Sequence, residues 1–113
     1  MPDWIRALWL AGTSCLFLAR GVCQDDLFAQ ITKYEQEIAA NPASSLAHYR
    51  LAEAYFQQRN YQSAANQFRE ALNGDLEPMW TELRAHIRLG EIFEISGQHD
   101  RAVHEYQQAS VRT

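Results

Sequence analysis

The sequence repeats itself at an interval of 38 residues, and no other feature limits the possible folds as strongly. When residues 48–71 are moved forward by that distance, they fall in register with residues 86–109. A short unit that recurs in one chain cannot bury its hydrophobic face alone, so the copies are expected to stack on one another. The pairs that this register brings together are His48/His86, Arg50/Arg88, Leu51/Leu89, Ala52/Gly90, Glu53/Glu91, Tyr55/Phe93, Tyr61/His99, Ala64/Ala102, Phe68/Tyr106 and Ala71/Ala109.

Each copy has the residue spacing of a helical hairpin. Between residues 61 and 72 the apolar positions recur at intervals of three, four and seven, which places them on one face of a helix. Short breaks separate such segments, because Gly and Asn accept left-handed geometry and Pro cannot continue a helix. These breaks are Asn41-Pro42, Arg59-Asn60, Asn73-Gly74, Glu77-Pro78 and Ser96-Gly97.

The breaks predict an all-α fold. Because the loops are short, consecutive helices are expected to pack antiparallel. The chain has 113 residues, of which 47% are hydrophobic, so it has room for one domain. The predicted helices span residues 25–40, 45–58, 61–73, 78–95 and 99–111.

The two copies resemble the tetratricopeptide repeat. The first reads Leu51-Ala52-x-x-Tyr55 and then Tyr61-x-x-Ala64-x-x-x-Phe68-x-x-Ala71, which follows the family's order of large and small residues. The second reads Leu89-Gly90-x-x-Phe93, Gly97-x-His99 and Ala102-x-x-x-Tyr106-x-x-Ala109. The resemblance implies a short right-handed α-solenoid of about two and a half units. These are a half repeat at 25–42 and two repeats at 45–78 and 83–113.

The resemblance also implies which residues pack the repeats together. Small residues allow helix axes to approach to the lower end of the usual distance of about 8–10 Å, and aromatic residues fill the spaces between them. The expected packing residues are Leu51, Ala52, Tyr55, Ala64, Phe68, Ala71, Leu89, Gly90, Phe93, Ala102, Tyr106 and Ala109.

The chain departs from the family pattern in its turns and in its period. Arg59 occupies the turn position that usually holds Gly, so Asn60 is expected to supply the left-handed residue. His99 stands where the first copy has an aromatic residue. The family period is about 34 residues, and the extra residues fall within 73–82. They are expected to lengthen the helix that starts at Pro78, with Trp80 on the added turn.

The first residues read as an N-terminal signal peptide at 1–23. Arg6 precedes the stretch Ala7–Ala19 (ALWLAGTSCLFLA), which contains no charged residue. Such a stretch makes roughly 20 Å of helix, which is shorter than the hydrocarbon core of about 30 Å. The sequence therefore favours a cleaved secretion signal over a transmembrane anchor, and predicts an exported protein that is periplasmic or secreted.

Two cleavage sites have small residues at the required positions. Cleavage after Gly21-Val22-Cys23 would release a chain that begins at Gln24, and this site is preferred to cleavage after Ala19-Arg20-Gly21. Lipid attachment at Cys23 is disfavoured, because Arg20 stands where such sites have Leu. The mature form is expected to contact no membrane unless the signal is uncleaved or Cys23 is lipidated. Both cysteines of the chain lie in or beside the signal, so no disulfide is expected in the mature domain.

The first helix of each repeat is expected to line a concave groove that binds a protein or peptide. Family members that hold a C-terminal carboxylate use Lys and Asn at two groove positions, which here are Tyr49 and Glu53, then Ile87 and Glu91. A partner segment with aliphatic or aromatic anchors and some Lys or Arg would suit this groove better. The candidate groove residues, by resemblance, are Tyr49, Glu53, Phe56, Gln57, Arg84, Ile87, Glu91, Glu94 and Ile95.

Two alternatives to a peptide groove remain open from the sequence. The large groove residues Tyr49, Phe56 and Ile95 would, in one alternative, only cover neighbouring helices. In the other, the repeats mediate self-assembly without a peptide ligand. The last predicted helix has no capping helix after it, so Val103, Tyr106 and Val111 would be partly exposed and open to a homodimer contact at the C-terminal end.

Composition and spacing disfavour catalysis, cofactors, metals and nucleic acid. The formal net charge is −4 and the charges of both signs are mixed, whereas a nucleic-acid partner would require a clustered positive face. The chain has no glycine-rich phosphate loop and no isolated pair of carboxylates. His99 and His104 lie about 140° apart around a helix, on different faces. No enzymatic activity is therefore expected.

Overall fold

A computed structural model describes residues 24–112, and this part of the chain forms helices without any strand. The predicted all-α repeat fold is confirmed. The predicted signal peptide lies outside the described residues. None of the described helices is both long enough and apolar enough to span a bilayer. In chain order the helices are α1 (Gln24–Ala40), α2 (Ser45–Gln57), α3 (Tyr61–Leu72), α4 (Trp80–Ile95) and α5 (His99–Val111).

The helices pack in the order in which they follow one another. Helices α2 and α3 form one hairpin and α4 and α5 form the next, and each hairpin has extensive contacts between its two helices. Helix α1 packs on α2, and α3 packs on α4, so the hairpins are joined into one stack. Helix α2 also contacts α4 directly. The first helices of the two repeats therefore lie side by side.

Small and aromatic residues fill the main core between the hairpins. The side chain of Phe68 is 0% exposed, and Ala52 and Ala64 are also fully buried around it. Complete burial of one such aromatic side chain contributes about 1.5–3 kcal/mol relative to its exposure. Ten of the twelve predicted packing residues are buried, and Tyr55 and Tyr106 are half-buried.

A second, smaller core attaches α1 to the repeats. Leu27 and Ile31 on α1 are buried against Leu51 and Ala54 on α2. The residues of α1 that contact α2 recur at helical intervals, so the helix buries one face only. Helix α1 therefore covers the open side of the first complete repeat.

Both complete repeats turn through the same left-handed residue. Arg59 has a φ of 62° and Gly97, its equivalent in the second copy, has a φ of 76°. In each turn the next amide bonds five residues back, from Asn60 N to Tyr55 O at 2.9 Å and from Gln98 N to Phe93 O at 2.8 Å. These bonds form a Schellman motif, which satisfies carbonyls at the end of the helix.

The prediction that Asn60 supplies this turn is wrong. Asn60 has a φ of −88° and is the N-cap of α3, where its side chain accepts a hydrogen bond from Ser63 N. Asn is among the best N-cap residues because its carbonyl oxygen can satisfy a free amide of the first turn. Because Asn60 is the N-cap of α3, the residue with left-handed geometry is Arg59.

The predicted start of α4 at Pro78 is also wrong, since the helix begins at Trp80. Pro78 lies in the loop, where its carbonyl accepts a bond from Thr81 N at 2.9 Å. The amide of Leu76 donates to Ser45 at the start of α2, and the amide of Glu77 donates to Asp75 within the loop, so these residues are not part of the helix. Helix α4 still starts three residues before Leu83, the equivalent of Ser45, and Trp80 lies on this added turn.

Substitutions at the two turn residues, Arg59 and Gly97, should change the free energy of unfolding in opposite directions. A side chain in left-handed geometry costs about 1–2 kcal/mol, and Gly avoids most of that cost. We expect Arg59→Gly to raise the free energy of unfolding by about 0.5–1 kcal/mol, and Gly97→Ala to lower it by about 1 kcal/mol. No atom lies within 4 Å of a Cβ placed on Gly97, so its loss would be conformational only. Urea unfolding measures both free energies. Equal changes of the same sign in the two variants would contradict the claim that Arg59 and Gly97 occupy the same left-handed position.

Candidate partner-binding groove

The nine predicted groove residues lie on α2 and α4, the two helices that stand side by side. They are not equally accessible. Tyr49 is buried; Glu53, Phe56, Ile87 and Glu91 are half-buried; Gln57, Arg84, Glu94 and Ile95 are exposed.

A cleft of about 270 Å³ lies between the two helices. Four of the predicted groove residues line it, together with Arg88, which was not predicted to face the groove. The cleft has an aromatic and an aliphatic wall and two guanidinium groups. Its lining residues are Tyr49, Arg84, Ile87, Arg88 and Glu91.

Arg88 connects the two repeats at the edge of this cleft. Its Nε and Nη2 atoms donate to the two carboxylate oxygens of Glu53 at 2.7 and 3.2 Å. Its Nη1 atom donates to Glu91 at 2.7 Å, and the guanidinium lies 4.7 Å from the ring centre of Phe56. Partial burial alone would lower the pKa of Arg88, but the two carboxylates outweigh it and the pKa is raised. Arg88 is therefore charged and held in one position.

The position of Glu53 corrects one expectation. Arg50 precedes Glu53 by three residues, and the sequence predicts a local ion pair between them. Glu53 instead binds Arg88 of the following repeat, while the equivalent local pair between Arg88 and Glu91 does form. Arg50 is exposed. A fork-shaped guanidinium that reaches both carboxylate oxygens gives a better geometry than a single contact along the helix.

Tyr49 forms the floor of the cleft and belongs to the core at the same time. It is 7% exposed, and its ring lies 5.7 Å from that of Phe68 and 5.4 Å, edge on, from that of Trp80. Burial and then the neighbouring carboxylate of Glu53 raise the pKa of the Tyr49 hydroxyl. The hydroxyl therefore remains protonated at neutral pH.

A protein-family model described as tetratricopeptide repeat matches residues 25–109, which is most of the chain. The chain belongs to the tetratricopeptide repeat family. No curated protein matches the sequence. Repeats of this family bind other proteins or peptides and are typically not catalytic, so the domain is a protein-interaction module.

Three other predicted groove residues of this tetratricopeptide repeat domain lie near the ends of the helices, outside the cleft. Gln57 and Ile95 are the last residues of α2 and α4. Ile95 is 54% exposed. The carboxylate of Glu94 accepts a hydrogen bond from the Tyr106 hydroxyl at 3.0 Å. These three residues therefore mark the end of the helices and not the wall of the cleft.

The repeated histidines join the two helices within each tetratricopeptide unit. His48 Nδ1 lies 2.8 Å from Gln67 Oε1, and His86 Nδ1 lies 2.7 Å from Glu105 Oε2. Gln67 and Glu105 are themselves equivalent positions of the two copies. Within residues 24–112 no group of three His, Cys, Asp or Glu side chains is placed to hold a metal ion.

The ion pair between Glu53 and Arg88 should contribute measurably to the coupling of the repeats. A double-mutant cycle with Glu53→Gln and Arg88→Met is expected to give a coupling energy of about 0.5–1 kcal/mol, because both groups are partly screened by water. High salt should reduce the coupling. Arg50→Met is the matched control, since Arg50 is the equivalent residue of the first copy. A coupling of Glu53 to Arg50 as large as its coupling to Arg88 would contradict the structure.

Proposed function

We propose that the chain is an exported adaptor that binds an apolar segment of another protein in the cleft between α2 and α4. The observation that supports this proposal is the cleft itself, which has Tyr49 as its floor and Ile87 in its wall. Binding sites for peptide side chains are typically concave and apolar with a few fixed polar groups. In this cleft Tyr49 and Ile87 form the apolar part, and Arg88 and Glu91, which are bonded to each other, are fixed polar groups.

The walls of the cleft are held in place before any partner arrives. Tyr49 is packed between two aromatic rings, and Arg88 has bonds to two carboxylates. Ordering a side chain on binding costs about 0.5–1.5 kcal/mol, so groups that are already fixed avoid this cost. The proposed site is therefore preorganised for a side chain that fits between Tyr49 and Ile87.

The proposal that the partner also carries Lys or Arg has less support than the apolar contact. It depends on Glu53 and Glu91, and Arg88 already binds both carboxylates. The side chain of Glu91 is 37% exposed, so a partner cation could contact its outer oxygen without displacing Arg88. We therefore place the apolar anchor first and a basic residue beside Glu91 second.

Export is proposed from the apolar stretch Ala7–Ala19 and the preceding Arg6. The intact mass of the secreted product tests this directly. A mass that corresponds to a chain starting at Gln24 is expected, and an unprocessed mass would contradict it.

Self-assembly is the second candidate function, and the surface of α5 favours it. Val103 is 53% exposed, whereas its equivalent in the first copy, Ala65, is 5% exposed beside α4. Val111 is 77% exposed on the same helix. A second copy would bury these residues. Light scattering separates the candidates, because a strict monomer at micromolar concentration excludes the homodimer.

A substitution in the cleft should weaken partner binding without unfolding the domain. Peptides selected from a display library against the chain provide the probes, and fluorescence anisotropy gives their dissociation constants. We expect Ile87→Gln to weaken binding about tenfold or more, which corresponds to about 1.4 kcal/mol, since it places an amide where the apolar anchor packs.

Ile95→Gln is the matched control for this experiment. It makes the same change on the same helix, at an exposed position outside the cleft. Unchanged binding by Ile87→Gln would contradict the proposed site. The double variant Glu53→Lys with Glu91→Lys tests the proposed contact between Glu91 and a Lys or Arg of the partner. Stronger binding of a Lys-containing peptide by this variant would contradict that contact.

A further inference from the structure

The segment between the two repeats is longer than the family period requires. The copies are 38 residues apart, whereas the usual unit has about 34. The four added residues fall within the loop at 73–79 and the first turn of α4. Their equivalents before the first repeat include Asn41 and Pro42, which lie in a short turn. The second repeat therefore presents side chains that the first lacks.

Hydrogen bonds fix this loop to the start of α2. The hydroxyl of Ser45, which is fully buried, donates to Ala71 O at 2.6 Å and accepts from Leu76 N at 2.8 Å. The carboxylate of Asp75 accepts from Glu77 N and from Ser45 N, both at 3.1 Å. These backbone bonds lower the pKa of Asp75, so its carboxylate is ionised at neutral pH.

The close approach of the loop to the start of α2 leaves no room for a side chain at Gly74. A Cβ placed there would lie 2.5 Å from the Ser45 hydroxyl and 2.7 Å from the carbonyl oxygen of Ala43. Asp75 N also donates to that carbonyl at 2.9 Å. Hydrogen bonds and close packing therefore fix the position of the loop, and with it the position of the residues that follow.

The fixed loop presents two large apolar side chains to solvent. Met79 is 87% exposed and Trp80 is 41% exposed. Single exposed apolar residues are ordinary on a protein surface, but adjacent large ones at the edge of a cleft are typical of interaction sites. We call Met79, Trp80 and Arg84 the rim.

The rim continues the cleft between α2 and α4. The ring of Trp80 lies 5.4 Å from that of Tyr49, and the guanidinium of Arg84 lies 5.1 Å from the centre of Trp80. Tyr49 and Arg84 both line the cleft. A segment that enters the cleft therefore meets the rim at one end.

The charge of the rim differs from that of the rest of the cleft. Arg88 is bound by two carboxylates, whereas Arg84 lies beside the Tyr49 hydroxyl and forms no ion pair with the side chains that the structure describes, those of residues 26–112. An exposed guanidinium that lies on an aromatic ring and lacks a carboxylate partner is complementary to an acidic side chain. The rim thus combines an apolar surface with one cation available for pairing.

We infer that the rim is a specificity site that takes a large apolar side chain of the partner, with an Asp or Glu beside it. The apolar side chain packs on Met79 and the uncovered part of Trp80, and the acidic residue pairs with Arg84. The flexible thioether of Met79 can adapt to aliphatic and aromatic side chains alike. This inference rests on the proposed function, because it assigns one end of the same bound segment.

Peptides selected by display against the full chain test the rim. We expect the selected sequences to share a large apolar residue next to Asp or Glu. Met79→Ser should weaken their binding about three- to tenfold. Arg84→Gln should weaken binding of the peptides that contain Asp or Glu, and should leave unchanged the binding of versions in which Gln replaces that acidic residue. Trp80 is left unchanged, because it also packs on Tyr49. Phe28→Ser is the control, since Phe28 is 69% exposed on α1.

The outcomes separate the rim from the groove. If Ile87→Gln weakens binding and Met79→Ser does not, the rim is overturned and the groove stands. If Met79→Ser weakens binding and Ile87→Gln does not, the rim is supported as a binding site and the cleft is excluded as the main one. An equal loss in Phe28→Ser shows general apolar adhesion and overturns the rim. A library without any selective binder contradicts both assignments.

Discussion

The close approach of helices at Ala52, Ala64 and Gly90 is the contact on which the rest of the structure depends. The two alanines are fully buried, and a Cβ on Gly90 would come within 2.5 Å of the Tyr106 ring. Because these side chains are small, the helices can approach closely and pack around aromatic residues such as Phe68 and Tyr106. This packing sets α2 and α4 side by side, and the cleft exists because those two helices are neighbours.

The polar contacts between the repeats give that cleft its chemical character. Arg88 occupies the carboxylates of Glu53 and Glu91, which removes much of the negative charge that the sequence indicated for the groove. At the other end Arg84 covers Trp80 without a carboxylate partner in the described part of the chain. One end of the cleft therefore retains one net negative charge, and the other presents a cation beside exposed apolar surface.

The sequence predicted the helices and their packing faces well, because both follow from local spacing that occurs twice. It failed where one residue had two competing uses. Asn60 was expected to form the turn but caps α3, so Arg59 takes left-handed geometry. It also failed for contacts between repeats, since no spacing along one helix shows that Glu53 reaches Arg88. The sequence could not predict the cleft either, because the cleft depends on the relative positions of α2 and α4.

We propose that a partner segment lies between α2 and α4. Titration of an isotope-labelled chain with a selected peptide, followed by amide and methyl NMR shifts, tests it most directly. We expect the largest shifts at Tyr49, Ile87 and Glu91, with few changes on α1. Shifts confined to α5 around Val103 and Val111, with none in the cleft, would contradict it.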